Sequence, residues 1–186
     1  SANPASGKTF LTMNLAMSLA IKKKRVVVVD LDMRKAATSK YVRKPQLGIS
    51  SYLNGQCELK DIIHRYDGVE LDVIPVGMIP PNPTELLYDE RLAEAIEQLR
   101  KDYDYVFIDC PPVEVVADSS IIAPFADISL FVVRAYLLER SMLPDVEMFY
   151  KSQRYPNMFM VLNGTESGSG YGYRKYGYRY GYRYGY

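Results

Sequence analysis

A doubly wound, mostly parallel β-sheet with helices on both faces is the fold predicted for these 186 residues. Three segments carry the prediction. Ala2–Thr9, ANPASGKT, is a phosphate-binding loop that runs into an apolar helix. Val26–Asp30 is an unbroken run of valines closed by an acid, and Tyr105–Asp109, YVFID, is a second apolar strand closed by an acid. Parallel strands covered on both faces read as continuous apolar runs, and open α/β sheets gather ligands at the carboxyl ends of such strands.

The remaining elements alternate strand and helix. A helix is predicted over 9–22, packing through Leu11, Leu15, Met17, Leu19 and Ala20, followed by a strand over 25–30. A short helix near 35–42 and two more within 48–55 and 59–63 precede a strand over 71–76. Pro80, Pro81 and Pro83 form a rigid turn that halts before one long helix over 84–101, with Thr84 as its N-cap. A strand over 104–109, a helix over 118–125, a strand over 128–134, a helix over 139–153 and a strand over 158–162 complete the pattern. Such alternation implies one sheet with right-handed crossovers. A phosphate loop hangs from a preceding strand, central in the sheet. The sequence begins at Ser1, directly before the motif, so the chain is expected to be a fragment that lacks this strand and is less stable for it. The globular body is expected over 1–164 and a disordered tyrosine-rich tail over 165–186.

Composition narrows the class. Apolar residues make up 48% of the chain, enough for one buried core. Formal net charge is +1, and the tail's Arg174, Lys175, Arg179 and Arg183 account for four positive charges, which leaves the body at −3. That body offers no general basic surface, so nucleic acid is not an expected partner. Cys57 and Cys110 match no metal or redox spacing and point to a reducing compartment. The single histidine, His64, is expected to be exposed. No apolar run has the length of a membrane span, and there is no signal peptide.

ANPASGKT fits the Walker A pattern of P-loop NTPases, which use ATP or GTP with Mg²⁺. Its backbone N–H groups wrap phosphates, and the following helix presents its positive end to them. Asn3, Pro4, Ala5, Ser6, Gly7, Lys8, Thr9 and Phe10 are the predicted nucleotide contacts. Lys8 supplies a cation to the β- and γ-phosphates, and the Thr9 hydroxyl reaches Mg²⁺. Alanine at position 5, where glycine would be freer, predicts a negative φ there. Asp30 and Asp32 lie two apart on an extended segment, so both carboxylates are expected to face one metal or one hydroxyl. Asp109 is the Walker B acid, placed to hold Mg²⁺ with Thr9 and Asp32.

The last sixteen residues, YGYRKYGYRYGYRYGY, place tyrosine at 171, 173, 176, 178, 180, 182, 184 and 186. They contain no aliphatic side chain and are predicted not to fold. A nucleotide site and an array of phenols on one chain suggest that the array is the substrate of the site. Weak RNA binding through stacking is the alternative for the tail alone.

ANPASGKT, VVVVDLDMR, VFIDCPP and the terminal tyrosines together resemble the bacterial tyrosine kinases of capsule and exopolysaccharide export, and the resemblance covers essentially all of residues 1–186. Asp30, Asp32 and Arg34 match that family's second Walker-type motif, and PPNPTELL from Pro80 to Leu87 resembles another of its stretches. Septum-site and partition ATPases share the fold but carry a signature lysine where Asn3 stands here. The resemblance implies ATP- and Mg²⁺-dependent autophosphorylation of Tyr171, Tyr173, Tyr176, Tyr178, Tyr180, Tyr182, Tyr184 and Tyr186, chiefly between subunits. It implies Lys8, Asp30 and Asp32 as catalytic groups, with Asp30 accepting the tyrosine proton and Asp32 assisting. Arg34 is placed at the phosphates or beside the acidic pair, a solvated turn arginine being the alternative. Asn163 resembles an adenine-contacting asparagine. The implied partners are further copies in a ring, a membrane adaptor region on the same or another chain, and a tyrosine phosphatase. The implied location is cytoplasmic, tethered to the inner membrane by an upstream region absent from this sequence. Two other functions stay open: a partition-type ATPase that switches partners without modifying protein, and a nucleotide-regulated binding module.

Overall fold

The computed structural model describes residues 1, 3–42, 45–66, 68–113 and 118–165. The tyrosines from Tyr171 to Tyr186, and with them the expectation about the tail's structure, lie outside the described residues. Helix α1 (Lys8–Ile21) follows the phosphate loop and leads into strand β1 (Val26–Asp30). A 3-10 turn (Ala37–Tyr41), helix α2 (Ile49–Leu53) and a second 3-10 turn (Leu59–Ile62) precede strands β2 (His64–Arg65) and β3 (Leu71–Ile74). Helices α3 (Pro83–Leu87) and α4 (Glu90–Asp102), strand β4 (Tyr105–Asp109) and helix α5 (Asp118–Ile122) come next. Strand β5 (Ser129–Arg134), helix α6 (Leu143–Lys151) and strand β6 (Met158–Asn163) close the described chain.

Strand β1 sets the architecture. It pairs in parallel with β3 on one side and β4 on the other, and all five of its residues are buried. Alternation along the strand divides the valines between two cores. Val27 and Val29 pack with Ile74, Leu92, Ile96 and Leu99 beneath α4, whereas Val26 and Val28 pack with Met13, Ala16 and Ala20 of α1. Helices thus cover both faces, as the valine run predicts.

Several expectations change. The buried stripe of α1 is Met13, Ala16 and Ala20, not the larger set expected, and Leu15 is exposed. Small side chains let this helix sit close on the sheet. The single long helix over 84–101 is two helices: Asp89 caps the second by accepting a hydrogen bond from Arg91 N–H (2.9 Å), and Thr84 turns away from its expected cap role. His64 is half-buried rather than exposed, because β2 pairs antiparallel with β3 at the sheet edge. At that same end, Asp72 accepts hydrogen bonds from Tyr103 Oη (2.8 Å) and pairs with Arg65 Nε (2.7 Å), which ties β2, β3 and the end of α4 together.

The described strands form two sheets, in the orders β2-β3-β1-β4 and β5-β6, rather than one. The division falls between β4 and β5, where no described residue supplies a strand to bridge them. Ser1 enters beside the end of β4, its carbonyl accepting a hydrogen bond from Val113 N–H (2.9 Å). Helix α6 covers one face of the smaller sheet through Val146 and Phe149 against Phe131 and Val133.

Two glycines meet where the loop after β3 crosses the start of α2. A Cβ at Gly48 would lie 2.3 Å from Gly77 N, and backbone atoms cannot swing aside. Gly68, by contrast, has φ +86° but open space around it. Gly48→Ala is expected to cost about 3 kcal/mol or more through overpacking, and Gly68→Ala only about 1–2 kcal/mol of backbone strain. Urea unfolding of both variants checks the ranking.

Candidate functional site

The site forms where β1 and β4 run out. Asp30 and Asp109 are register partners on the last rung of their parallel pairing, so two buried acids stand side by side at the carboxyl edge. The phosphate loop and the start of α1 close over them.

The loop adopts the geometry of an anion cradle. Gly7, at the N-cap of α1, has φ +91°, and Ala5 has φ +59°. The negative φ expected for Ala5 is therefore wrong: the loop's curvature forces the left-handed region on alanine, at a cost of about 1–2 kcal/mol. No side chain caps α1, and its first turn holds no acid. The N–H groups at this end thus keep their positive potential for an incoming anion. Ser6 is 2% exposed, and its hydroxyl is among the buried polar atoms with no partner. An unpartnered buried hydroxyl in the middle of such a loop fits a polyphosphate.

Lys8 extends from the loop and donates to Ser1 Oγ (3.1 Å). Burial lowers its pKa, while Asp109 and Asp32 nearby act to raise it. Thr9 Oγ1 donates to Asp109 Oδ2 (2.5 Å), so the two residues expected at a metal already touch. Burial pushes the Asp109 carboxyl up to about 6, with Asp30 and Asp32 adding to the rise and the Thr9 hydrogen bond and Lys8 opposing it. Among the described residues no group of three or more His, Cys, Asp and Glu is placed to hold a metal alone. One hydroxyl and one carboxylate would suit Mg²⁺, an ion commonly held by few protein ligands alongside substrate phosphates.

Asp30 does not have the freedom expected of a base. Its Oδ1 accepts from Asp32 N–H (3.0 Å), and its Oδ2 accepts from Thr38 N–H (2.9 Å) and Thr38 Oγ1 (2.7 Å). It is fully buried, and burial raises its pKa despite those hydrogen bonds. Asp30 is built as a brace for the loop after β1. Asp32, next along that loop and 7% exposed, accepts backbone hydrogen bonds from Lys35 N–H (3.1 Å) and Ala36 N–H (2.9 Å) at its carbonyl, while its carboxylate accepts none from the described residues. Its carboxylate acts on Lys8 and on Asp109 through charge alone.

Arg34 also departs from expectation. Its guanidinium donates to Asp118 Oδ2 (3.3 Å) and Thr84 Oγ1 (3.1 Å), and Thr84 in turn donates to Asp118 Oδ1 (2.8 Å). Asp118 is 2% exposed, so this arginine neutralises a buried acid and fastens the loop after β1 to α3 and α5. Asn163, expected at adenine, donates through Nδ2 to Ser6 O (2.9 Å). Phe10 is exposed on α1. Sequence reasoning missed Thr38, Asp118 and Arg134; the last donates to Ala5 O (2.9 Å). A polar residue closing the apolar strand FVVR was the available signal for Arg134. Cys110 follows Asp109, but burial and that acid push its thiol up to about 12, which leaves it unreactive.

Comparison with known proteins identifies the family and the fold. A family described as AAA domain matches residues 4–136. Tyrosine-protein kinase Wzc of Salmonella typhimurium is 38% identical over 133 residues, 71% of this chain and 18% of Wzc. The solved kinase domain of the Escherichia coli tyrosine kinase ETK superposes with a TM-score of 0.82 at 32% identity, covering 94% of this chain and 70% of that domain. The chain belongs to the bacterial tyrosine kinases. Its P-loop α/β fold is shared more widely: the septum-site protein MinD of Pyrococcus horikoshii, solved with Mg-ADP, matches with a TM-score of 0.71 at 24% identity, over 87% of this chain and 67% of that one. The chain spans only 18–24% of the length of curated family members. Among the described residues no helix is long and apolar enough to cross a membrane.

The raised pKa of Asp109 has a consequence for stability. A carboxyl whose folded pKa lies near 6 holds its proton more tightly folded than unfolded. Its favourable contribution is complete below about pH 4 and is lost as pH rises through about 6. Asp109→Asn keeps an acceptor for Thr9 and removes the charge. Without nucleotide, this variant is expected to be more stable than wild type by about 1–3 kcal/mol at pH 7.5, with the difference vanishing towards pH 4. Thermal unfolding of both proteins across that range checks it.

Proposed function

We propose that this domain transfers the γ-phosphoryl group of ATP to tyrosine hydroxyls of its own C-terminal segment. The observation that carries the proposal is the touching Thr9–Asp109 pair under a left-handed phosphate loop, on a chain that ends in eight tyrosines within sixteen residues. Membership in the tyrosine-kinase family supports the reaction class. A ring of copies, a membrane adaptor region on the same or another chain and an opposing phosphatase are the matching partners. They place the domain on the cytoplasmic side of a membrane, in polysaccharide export.

The residues divide the work. The loop from Asn3 to Thr9 binds and orients the phosphates. Lys8 stabilises negative charge that spreads over the transferred group. Thr9 and Asp109 would hold Mg²⁺, which when bound neutralises phosphate charge. Asp32 is the carboxylate free to accept the phenol proton, because Asp30 spends both oxygens bracing Asp32's own backbone and Thr38. In the step, the tyrosine Oη–H bond breaks as Oη–Pγ forms, the bond from Pγ to the bridging oxygen breaks, and ADP leaves. A phenol has a pKa of about 10 against about 4 for a carboxylate, so the proton leaves late, as the new bond forms. Burial of Lys8 and Asp109 keeps both charges in a poorly solvated site, where they act more strongly on the transferred group.

Lys8→Met is expected to cut tail phosphorylation by about 10²–10³-fold or more. Asp32→Asn is expected to impair transfer while Mg·ADP still binds. Phosphotyrosine mass mapping, in a host without other tyrosine kinases, and calorimetric titration of Mg·ADP check the pair. Undiminished phosphotyrosine in Lys8→Met refutes the assignment; loss of Mg·ADP binding in Asp32→Asn moves that residue from the acceptor to the metal.

A further inference from the structure

The phosphate loop is held from outside by the smaller sheet. Arg134 and Asn163 are register partners, the last rung of the parallel β5–β6 ladder. Arg134 Nη1 donates to Ala5 O (2.9 Å), and Asn163 Nδ2 donates to Ser6 O (2.9 Å). One rung thus supplies donors to two consecutive carbonyls of a loop more than a hundred residues away in sequence.

The consequence follows from peptide geometry. In a planar trans peptide the C=O of one residue and the N–H of the next point in opposite directions. Tying Ala5 O and Ser6 O to the rung therefore turns the N–H groups of Ser6 and Gly7 the other way, as an anion cradle needs. Ser6 Oγ, buried and unpartnered, lies between the two tied peptides. The loop needs such ties because two of its residues have positive φ, one of them alanine.

Both donors are themselves fixed. Asn163 Oδ1 accepts from Gly164 N–H (2.8 Å), and its backbone carbonyl accepts from Ala135 N–H (2.8 Å). The side-chain amide is pressed on the loop: a Cβ at Gly7 would stand 2.3 Å from Asn163 Nδ2. The stem of Arg134 lies along Gly164, where an added Cβ would meet its Cγ at 3.2 Å and its Nε at 3.3 Å.

We propose that Arg134 and Asn163 are positioning residues that hold the loop's amides in their phosphate-binding orientation, so that neither serves mainly as a base-reading or charge-neutralising contact. This rests on the nucleotide reading above. The test separates the two roles by ligand. An adenine contact at Asn163 matters for Mg·ADP and is irrelevant to Mg·tripolyphosphate, whereas an amide-orienting bond matters equally for both.

Calorimetric titration of the 186-residue chain with Mg·ADP, Mg·GDP and Mg·tripolyphosphate, for wild type, Asn163→Ala, Arg134→Met and Arg134→Lys, reads this out. Losing one hydrogen bond of this kind is expected to weaken binding by about three- to tenfold. Asn163→Ala should do so for all three ligands alike, with the ADP-to-GDP ratio unchanged. Arg134→Met should behave in the same way, and Arg134→Lys, which keeps a donor, should recover most of the loss. Arg134 is exposed, so its variants test the idea even if Asn163→Ala unfolds. A loss confined to ADP, or tripolyphosphate affinity unchanged in Arg134→Met, overturns the proposal. Failure of wild type to bind any of the three overturns the nucleotide reading and this inference with it.

Discussion

Everything at this site depends on one rung, the pairing of Asp30 with Asp109 where two buried parallel strands end. Two acids are forced together by register, with a third, Asp32, two residues on. Water is excluded by the valines of β1 and by α1, so each charge must find compensation inside the protein. Asp30 finds it in Thr38 and the Asp32 backbone, and Asp109 in Thr9 and in the charge of Lys8. The loop, the helix start and the segment after β1 are all arranged around those debts. The Asp109 charge is left only partly compensated, a local instability that a bound cation would relieve.

The same economy explains the residues that never touch phosphate. Asp118, buried behind α3, is neutralised by Arg34 and Thr84, and the result fixes the segment that carries Asp32. Arg134 and Asn163 fix the loop from the other side. The reactive groups sit on short irregular segments, and each segment is fastened to regular structure by at least one charged or amide side chain.

The fold was legible because buried parallel strands leave so plain a trace. VVVVD and YVFID could be placed, and their terminal acids located, from period and position alone. Lys8 and Thr9 lie together because the P-loop motif carries both, and Asp109 meets Thr9 because β4 ends at the sheet edge where that loop sits. Ala5 did not follow its propensity, since loop closure overrides the preference of a single residue. Asp30 and Asp32 are two apart and chemically identical in sequence; only Thr38, eight residues beyond Asp30, decides which carboxylate stays free. The side-chain partners that Arg34 and Asn163 take within the protein were hidden. Their partners, Asp118 and Ser6, lie 84 and 157 residues away, and no local pattern reports such contacts. The division of the long helix near Tyr88 was hidden because strong helix formers flank the break on both sides.

On the proposed function, phosphate leaving ATP goes to tyrosine rather than to water. Following the purified chain with Mg·ATP by ³¹P NMR tests it most directly, since ADP, inorganic phosphate and phosphotyrosine give separate signals. Early ADP is expected to be matched by phosphotyrosine in near-equal amount, with little free phosphate until the acceptor tyrosines are filled. ADP accumulating with inorganic phosphate from the start, and no phosphotyrosine signal, would contradict it.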